Sequence, residues 1–337
     1  MPCPSVRQPE KRHVTSAPSD GHSAGTTTPL TFTRLQRIHG LVCCRMPRCY
    51  VPLLARRISA LAGLLFSVGA SSAFAQCRPP RDSHEARLLA FYSVPVVFSA
   101  DVASLTLSPG ALRLSGEAAF VPTPSTTLQH TDYCYTGRAE NTSLTSFFGR
   151  PRLAVGLPMG FGIEVSYLPS ITVANATPNL ASAGLWLTRK MTTALLLMGR
   201  VHGTIGTVRG PITCPRTALQ QQDAQAPCYG TSPSVDEFRP NMAGAELILA
   251  TIPRNTSRVR FSAGLGVNRL YPRFRVGFSD LSGGTDRTRI TVDLTRVTAL
   301  AGATVSLSHR CDASAQAFTS LSDATTVRAT VGCLLVR

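Results

Sequence analysis

His202 is the residue of this chain with the clearest chemical potential, standing two positions from Arg200 on the polar side of an alternating segment. His130 falls in a long polar stretch and His309 beside a short turn. A histidine acting as general base needs a nucleophile or carboxylate within hydrogen-bond reach, and no spacing in the sequence brings one to His202. Gly264-Leu265-Gly266 lacks the third glycine and the following helix of a dinucleotide site, so it reads as strand glycine. Six cysteines follow residue 75: Cys77, Cys134, Cys214, Cys228, Cys311 and Cys333. They contain no CxxC and no paired histidines accompany them, which argues against zinc. The sequence assigns no catalytic residue, no metal site and no cofactor.

The other chemically able residues are charges that alternate with apolar positions. Arg113, Glu117, Glu164, Arg200, Glu246, Arg260, Arg275 and Arg328 all fall opposite rows of Leu, Ile, Val and Phe. Phe161, Ile163, Val165 and Tyr167, for example, alternate with Gly162, Glu164 and Ser166. A period of two belongs to a strand with one greasy and one polar face. Similar runs begin at Ala111 and recur to the carboxyl end. The connections between them alternate in length: Pro122 to Pro151 is long, Pro158 to Gly160 short, Thr207 to Asn241 long, Pro253 to Thr256 short. An up-and-down barrel with loops at one end and tight turns at the other predicts this alternation.

The expected fold is therefore all-β: an antiparallel up-and-down transmembrane β-barrel of about ten strands. Apolar parity moves from odd to even residues near Pro272 and back near Thr295, on either side of Gly283-Gly284. Paired β-bulges in one long hairpin would explain this; two separate membrane hairpins would also explain it and raise the count to twelve. Upstream, Asp82-Ser83 can cap a short amphipathic helix over Glu85 to Tyr92, ended before Pro95. It is expected at the periplasmic side or tucked into the barrel mouth.

The amino-terminal region divides in two. Met46 opens a secretory signal: Arg48, Arg56 and Arg57, then the apolar stretch Ile58 to Ala70, then Ala73-Phe74-Ala75 for cleavage. Residues 1–45 are polar and aperiodic, and read as a disordered or mis-called extension with Met46 as the true start. That leaves 76–110 as a periplasmic segment with the helix and 111–337 as the barrel domain. Past Ala75 the basic residues fall from 34 to 25 and the acidic ones from 18 to 16, a net charge of +9. No basic cluster with interleaved aromatics accompanies this surplus, so nucleic acid is not an expected partner. Outside the cytoplasm disulfides are the default. Cys214 with Cys228 would close a short polar loop, worth about 3 kcal/mol in the chain-entropy model, and Cys77 with Cys134 is a looser pairing. Cys311 and Cys333 would fall on neighbouring strands, where a bond is geometrically possible.

Signal, alternating strands and long-and-short connections together resemble bacterial outer-membrane β-barrel (porin-like) proteins from about Ala111 onward. Tyr167, Trp186, Phe274 and Phe278 near strand ends suit the aromatic girdles of that class. The resemblance implies an exported protein in the bacterial outer membrane, with membrane lipid as a partner and no specific subfamily. A few such barrels are enzymes with a Ser–His or Asp–His pair at the rim, but a lumen-lining or structural role fits His202 better. Charges facing lipid cost about 2–4 kcal/mol for arginine at the midplane, so Arg113, Glu117, Glu164, Arg200, His202, Glu246, Arg260, Arg275 and Arg328 are expected to line the lumen. There they either border a water-filled pore biased toward anions or pair with one another and plug it. The expected function is a porin-like channel or binder for small solutes. The alternatives are a non-conducting structural or partner-binding barrel, and a soluble exported β-sandwich. Oligomeric state is not legible.

Overall fold

Every strand of the wall is long enough to carry the alternation just described, and the sheet they form closes on itself, last strand to first. The computed structural model describes residues 76–131, 133–134, 145–253 and 257–336. The signal and the extension before it lie outside the described residues. Ten strands make the wall: β1 (Leu112–Phe120), β2 (Phe147–Gly156), β3 (Phe161–Leu168), β4 (Thr177–Lys190), β5 (Leu195–Gly210), β6 (Met242–Thr251), β7 (Val259–Leu270), β8 (Leu294–Ser306), β9 (Cys311–Ser320) and β10 (Ala324–Val336). Each pairs antiparallel with the next, and β10 returns to β1 from Arg328 opposite Ala119 to Val336 opposite Leu112. Closure excludes the β-sandwich alternative, and the count is ten. The connections β1–β2, β3–β4, β5–β6 and β7–β8 are the longer ones and share one end, the loop end. The β9–β10 link is tight although it lies there too.

The two faces differ as the period requires. Outward-pointing Leu114, Ile163, Val165, Leu185, Val201, Leu247, Leu265, Val297 and Val331 are each more than two-fifths exposed. Inward-pointing Arg113, Glu117, Glu164, Arg200 and Glu246 are all buried. A belt of bare aliphatic side chains around a charged interior is inverted relative to a protein folded in water, and it suits a wall immersed in lipid.

The hairpin after β7 corrects the bulge expectation. Beyond Leu270 opposite Leu294, both strands break for two residues and resume as Arg273–Arg275 against Arg289–Thr291. Even-numbered residues face inward throughout: Ser262, Asn268 and Leu270 below the break, Phe274, Val276, Ile290 and Val292 above it. The backbone therefore keeps its facing, and the surroundings change. Where the strands leave the apolar belt, greasy residues gain by turning inward and arginines by turning outward.

Helix α1 (His84–Val96) precedes the wall. Ser83 caps it by accepting from the Ala86 amide at 3.2 Å, and Pro95 stands in its last turn. It is buried on nearly every side rather than amphipathic, because it lies inside the barrel at the loop end, where Arg150 and Arg328 reach its last carbonyls.

Trp186 also differs from its expected girdle position. It points inward, 3% exposed, and lies flat against Gly162 on the neighbouring strand. A β-carbon at Gly162 would stand 2.1 Å from the indole ring. Overpacking of this kind costs about 1–3 kcal/mol, so Gly162→Val should lower the unfolding midpoint followed by heat-modifiable gel mobility and shift the emission of this single tryptophan. An unchanged midpoint and spectrum would refute the packing.

Candidate functional site

The interior is occupied by the chain's own amino-terminal segment. After α1, residues 97–106 run along the lumen toward the turn end, and the wall grips their backbone. Arg150 donates to the Val96 and Val97 carbonyls at 3.2 and 2.7 Å, Arg152 to Ser99 at 2.5 Å and Arg200 to Phe98 at 2.5 Å. From the other side Arg328 donates to Val94 and Val97, and Arg260 to Val102. Glu246 accepts from the Ala100 amide at 3.2 Å. Residues 97–101, without neighbouring strands, would leave most of their amides and carbonyls unpaired, and here the wall side chains take the place of a ladder; Val102–Thr106 then form a short 3-10 helix capped by Asp101.

The same side chains pair with one another. Glu117 meets Arg150 at 2.7 Å and also Arg152; Arg152 meets Glu164 at 2.7 Å; Glu164 meets Arg200 at 3.1 Å; Arg200 meets Glu246 at 3.1 Å. This chain of alternating charges follows β1, β2, β3, β5 and β6. At its centre Phe98, fully buried, has the guanidiniums of Arg150, Arg152 and Arg200 at 4.9, 4.5 and 4.9 Å from its ring centroid, a cation–π arrangement strengthened by the absence of water. Arg200 crosses Gly184, where a β-carbon would stand 2.8 Å from its guanidinium. Toward the turn end Asp101, Arg113 and Asp312 form a second knot.

Arg113, Glu117, Glu164, Arg200, His202, Glu246, Arg260 and Arg328 thus all point into the barrel. Arg275 does not: it lies beyond the break in the β7–β8 hairpin with its side chain 47% exposed and paired to Glu237. His202 Nε2 stands 3.5 Å from Glu246. Among the described residues no hydroxyl hydrogen-bonds to His202, so a nucleophile does not accompany the pair. Arg150 and Arg152 were missing from the sequence-derived set because Pro151 between them marks a loop boundary. In the structure β2 runs through Pro151. Over 147–152 it pairs, among the described residues, with β1 alone, since its ladder to β3 starts at Leu153 opposite Val165. A strand with one free side is where proline is tolerated.

That free side has a second consequence. Among the described residues β3 pairs only with β4 above Val165 and then ends at Leu168, leaving a seam in the wall at the loop end. Behind it lies a 480 Å³ cavity lined by Leu88, Leu89, Tyr92 and Val96 of α1, Phe147 and Phe148 of β2, Leu168 at the end of β3, Ile171 and Val173 beyond it, and Val208, Phe238 and Phe274. Its walls are almost wholly apolar, unlike the charged lumen beneath.

The loop end also carries a small sheet. Asp236–Arg239 pairs with residues 208–210 of β5 and with Arg273–Arg275, which continues to Arg289–Thr291 and Gln76–Cys77. Buried Asp236 orders it, accepting from the Ile212, Thr213 and Gly277 amides at 2.8, 2.7 and 3.0 Å. Disulfides Cys77–Cys134 and Cys214–Cys228 join this region, and Cys311–Cys333 spans opposed positions of β9 and β10. Burial by itself raises the Glu237 carboxyl, but the hydrogen bond from Arg239 and the charges of Arg239, Arg275 and Arg209 outweigh it and hold the group below its ordinary value of 4.5.

Two predictions follow from these charges. Removing one partner of a buried pair costs about 3–5 kcal/mol, so Glu117→Ala should destabilise the refolded barrel by that order in urea titration. A loss below about 0.5 kcal/mol would show that the network does not hold the segment. A folded-state value below the unfolded one gives stability that is complete above pH 4.5 and lost as pH falls through the lower value. Hydrogen exchange of the Glu237 to Arg239 amides, corrected for intrinsic rates, should rise only below pH 4.5, and should lose that pH dependence in Glu237→Gln. A rise already at pH 6 would contradict the assignment.

Among known proteins, no family model and no curated sequence matches. Solved structures do: the attachment invasion locus protein Ail of Yersinia pestis, at 11% identity and TM-score 0.27, over 67% of this chain and 98% of that one. The Pseudomonas putida toluene transporter TodX matches at 12% identity and TM-score 0.30, over 73% of this chain and 70% of that one. What the wall itself carries is the fold: ten strands closed on themselves, aliphatic outside and charged inside, give this chain the architecture of outer-membrane β-barrels, with no subfamily distinguished.

Proposed function

We propose that this protein binds small apolar solutes at the outer mouth of the barrel and does not conduct ions through its lumen. The observation that carries the reading is the 480 Å³ apolar cavity against the unpaired stretch of β2. A pocket of that size and lining suits a compact hydrocarbon-like molecule. The seam gives such a molecule a sideways path into the bilayer. The route below is obstructed, since residues 97–106 run along the axis and the void beside Arg152 and Arg328 holds 10 Å³, about one water. The lumenal guanidiniums are engaged by carboxylates and carbonyls, which removes the basis for an anion-selective pore.

The test uses the full chain in lipid nanodiscs with the fluorescent apolar probe N-phenyl-1-naphthylamine. Saturable uptake is expected. It should weaken about tenfold or more in Val208→Asp, which sets a carboxylate in the cavity wall, and in Ala176→Phe, which fills it. The same protein should be electrically silent in planar bilayers. Probe uptake identical in both variants would sink the binding reading; a steady ohmic current from the wild type would sink the closed lumen.

A further inference from the structure

The small sheet at the loop end presents arginines in an arrangement that a sheet ordinarily avoids. Register sets Arg273 directly opposite Arg239, and Arg275 directly opposite Arg289. Like charges on opposed positions destabilise an antiparallel pair. Glu237 serves three arginines of this face, meeting Arg239 at 2.6 Å, Arg275 at 3.3 Å and Arg209 at 3.4 Å. These three guanidiniums stay 46%, 47% and 59% exposed, so each keeps donors for another acceptor. Arg273 is exposed and has no carboxylate within ion-pair distance among the described residues. Arg239, Arg273 and Arg275 border a 550 Å³ depression that also includes Gln76 and Arg78.

The position of the group along the wall says what it faces. On the outward side of β7, apolar Phe261, Leu265 and Val267 are followed by Arg269, paired to Asp293 at 3.1 Å, then by Tyr271, and then by Arg273 and Arg275. On β5, Val201 and Ile205 are followed by Arg209. At about 3.4 Å per residue, Arg273 stands some ~7 Å along the strand from Tyr271. Tyrosines of membrane proteins mark the boundary between acyl chains and headgroups. The arginines therefore sit beside the headgroup layer on the face that continues the aliphatic belt, away from the barrel axis. A planar guanidinium fork matches phosphate oxygens in bidentate fashion.

We propose that this face binds the phosphate groups of anionic lipid in the surrounding leaflet, and that bound phosphate offsets the Arg239–Arg273 repulsion. Phe274 and Ile290 are shared with the lining of the apolar cavity, but the proposal does not rest on that cavity being occupied.

The experiment is native mass spectrometry of the full chain, refolded in detergent, with diphosphoryl lipid A and with its dephosphorylated form carrying the same acyl chains. Preferential retention of the phosphorylated lipid is expected. In Arg239→Gln/Arg273→Gln/Arg275→Gln it should fall on the order of a hundredfold, while Arg189→Gln/Lys190→Gln at the turn end retains wild-type binding. If the triple variant lacks the heat-modifiable mobility of a folded barrel, Arg273→Gln alone decides, with a loss of about fivefold expected. Equal retention of the two lipids, or wild-type retention by the arginine variants, would overturn the proposal. So would inorganic pyrophosphate displacing the lipid at equimolar concentration, because the site would then serve a free anion.

Discussion

Burying a guanidinium demands partners for five donors, and this barrel buries several around one phenyl ring. Each of Arg150, Arg152, Arg200 and Arg328 meets both a carboxylate and a main-chain carbonyl of the threaded segment. The two kinds of acceptor are complementary. Glu117, Glu164 and Glu246 balance most of the charge, and the carbonyls of residues 94–99 supply the geometry that three carboxylates cannot. Without the segment, the arginines would face a lumen of unpaired charge. Without the arginines, the segment would be an extended backbone with nothing to bond to. Wall and segment are one structure, although the sequence places them apart.

The membrane boundary can be located by where side-chain chemistry reverses. Along the β7–β8 hairpin the backbone keeps its facing while apolar residues pass from the outer to the inner side between Val267 and Phe274. The same reversal produces both features of the loop end. Residues turned inward there, such as Phe238 and Phe274, supply the lining of the apolar cavity. Residues turned outward, such as Arg273 and Arg275, make the basic face.

Much of the wall is legible in the sequence, because its cause is local. An alternation such as Phe161 to Tyr167 needs only period two and a solvent contrast, and Gly283-Gly284 between matched segments points to one hairpin. What escaped reading depends on partners distant in sequence. Pro151 interrupts the local signal, so Arg150 and Arg152 were hidden although they are central to the charge network. Arg275 alternates with apolar residues but lies past the belt, where those residues turn inward and the arginines outward. Trp186 belongs to a strand end by position, yet its ring is placed by the absence of a side chain at Gly162. The stretch from Val97 to Thr106 has no period, since its conformation is imposed by the wall. The β2–β3 seam is likewise a matter of which strand stops pairing, and no residue type announces that.

The threaded segment constrains the order of assembly. Gln76 and Cys77 sit at the loop end, tied to the β1–β2 connection through Cys134, while Leu112 begins β1 at the opposite end. The intervening chain therefore spans the full height of the cylinder, with a helix at one end and charged wall residues gripping the rest. Drawing that helix along the axis of a completed ring would take it past the buried Arg113, Arg152 and Arg200. Zipping β10 onto β1 around a segment already in place avoids that passage, and the occupant of the interior then serves as the mandrel on which the wall is wound.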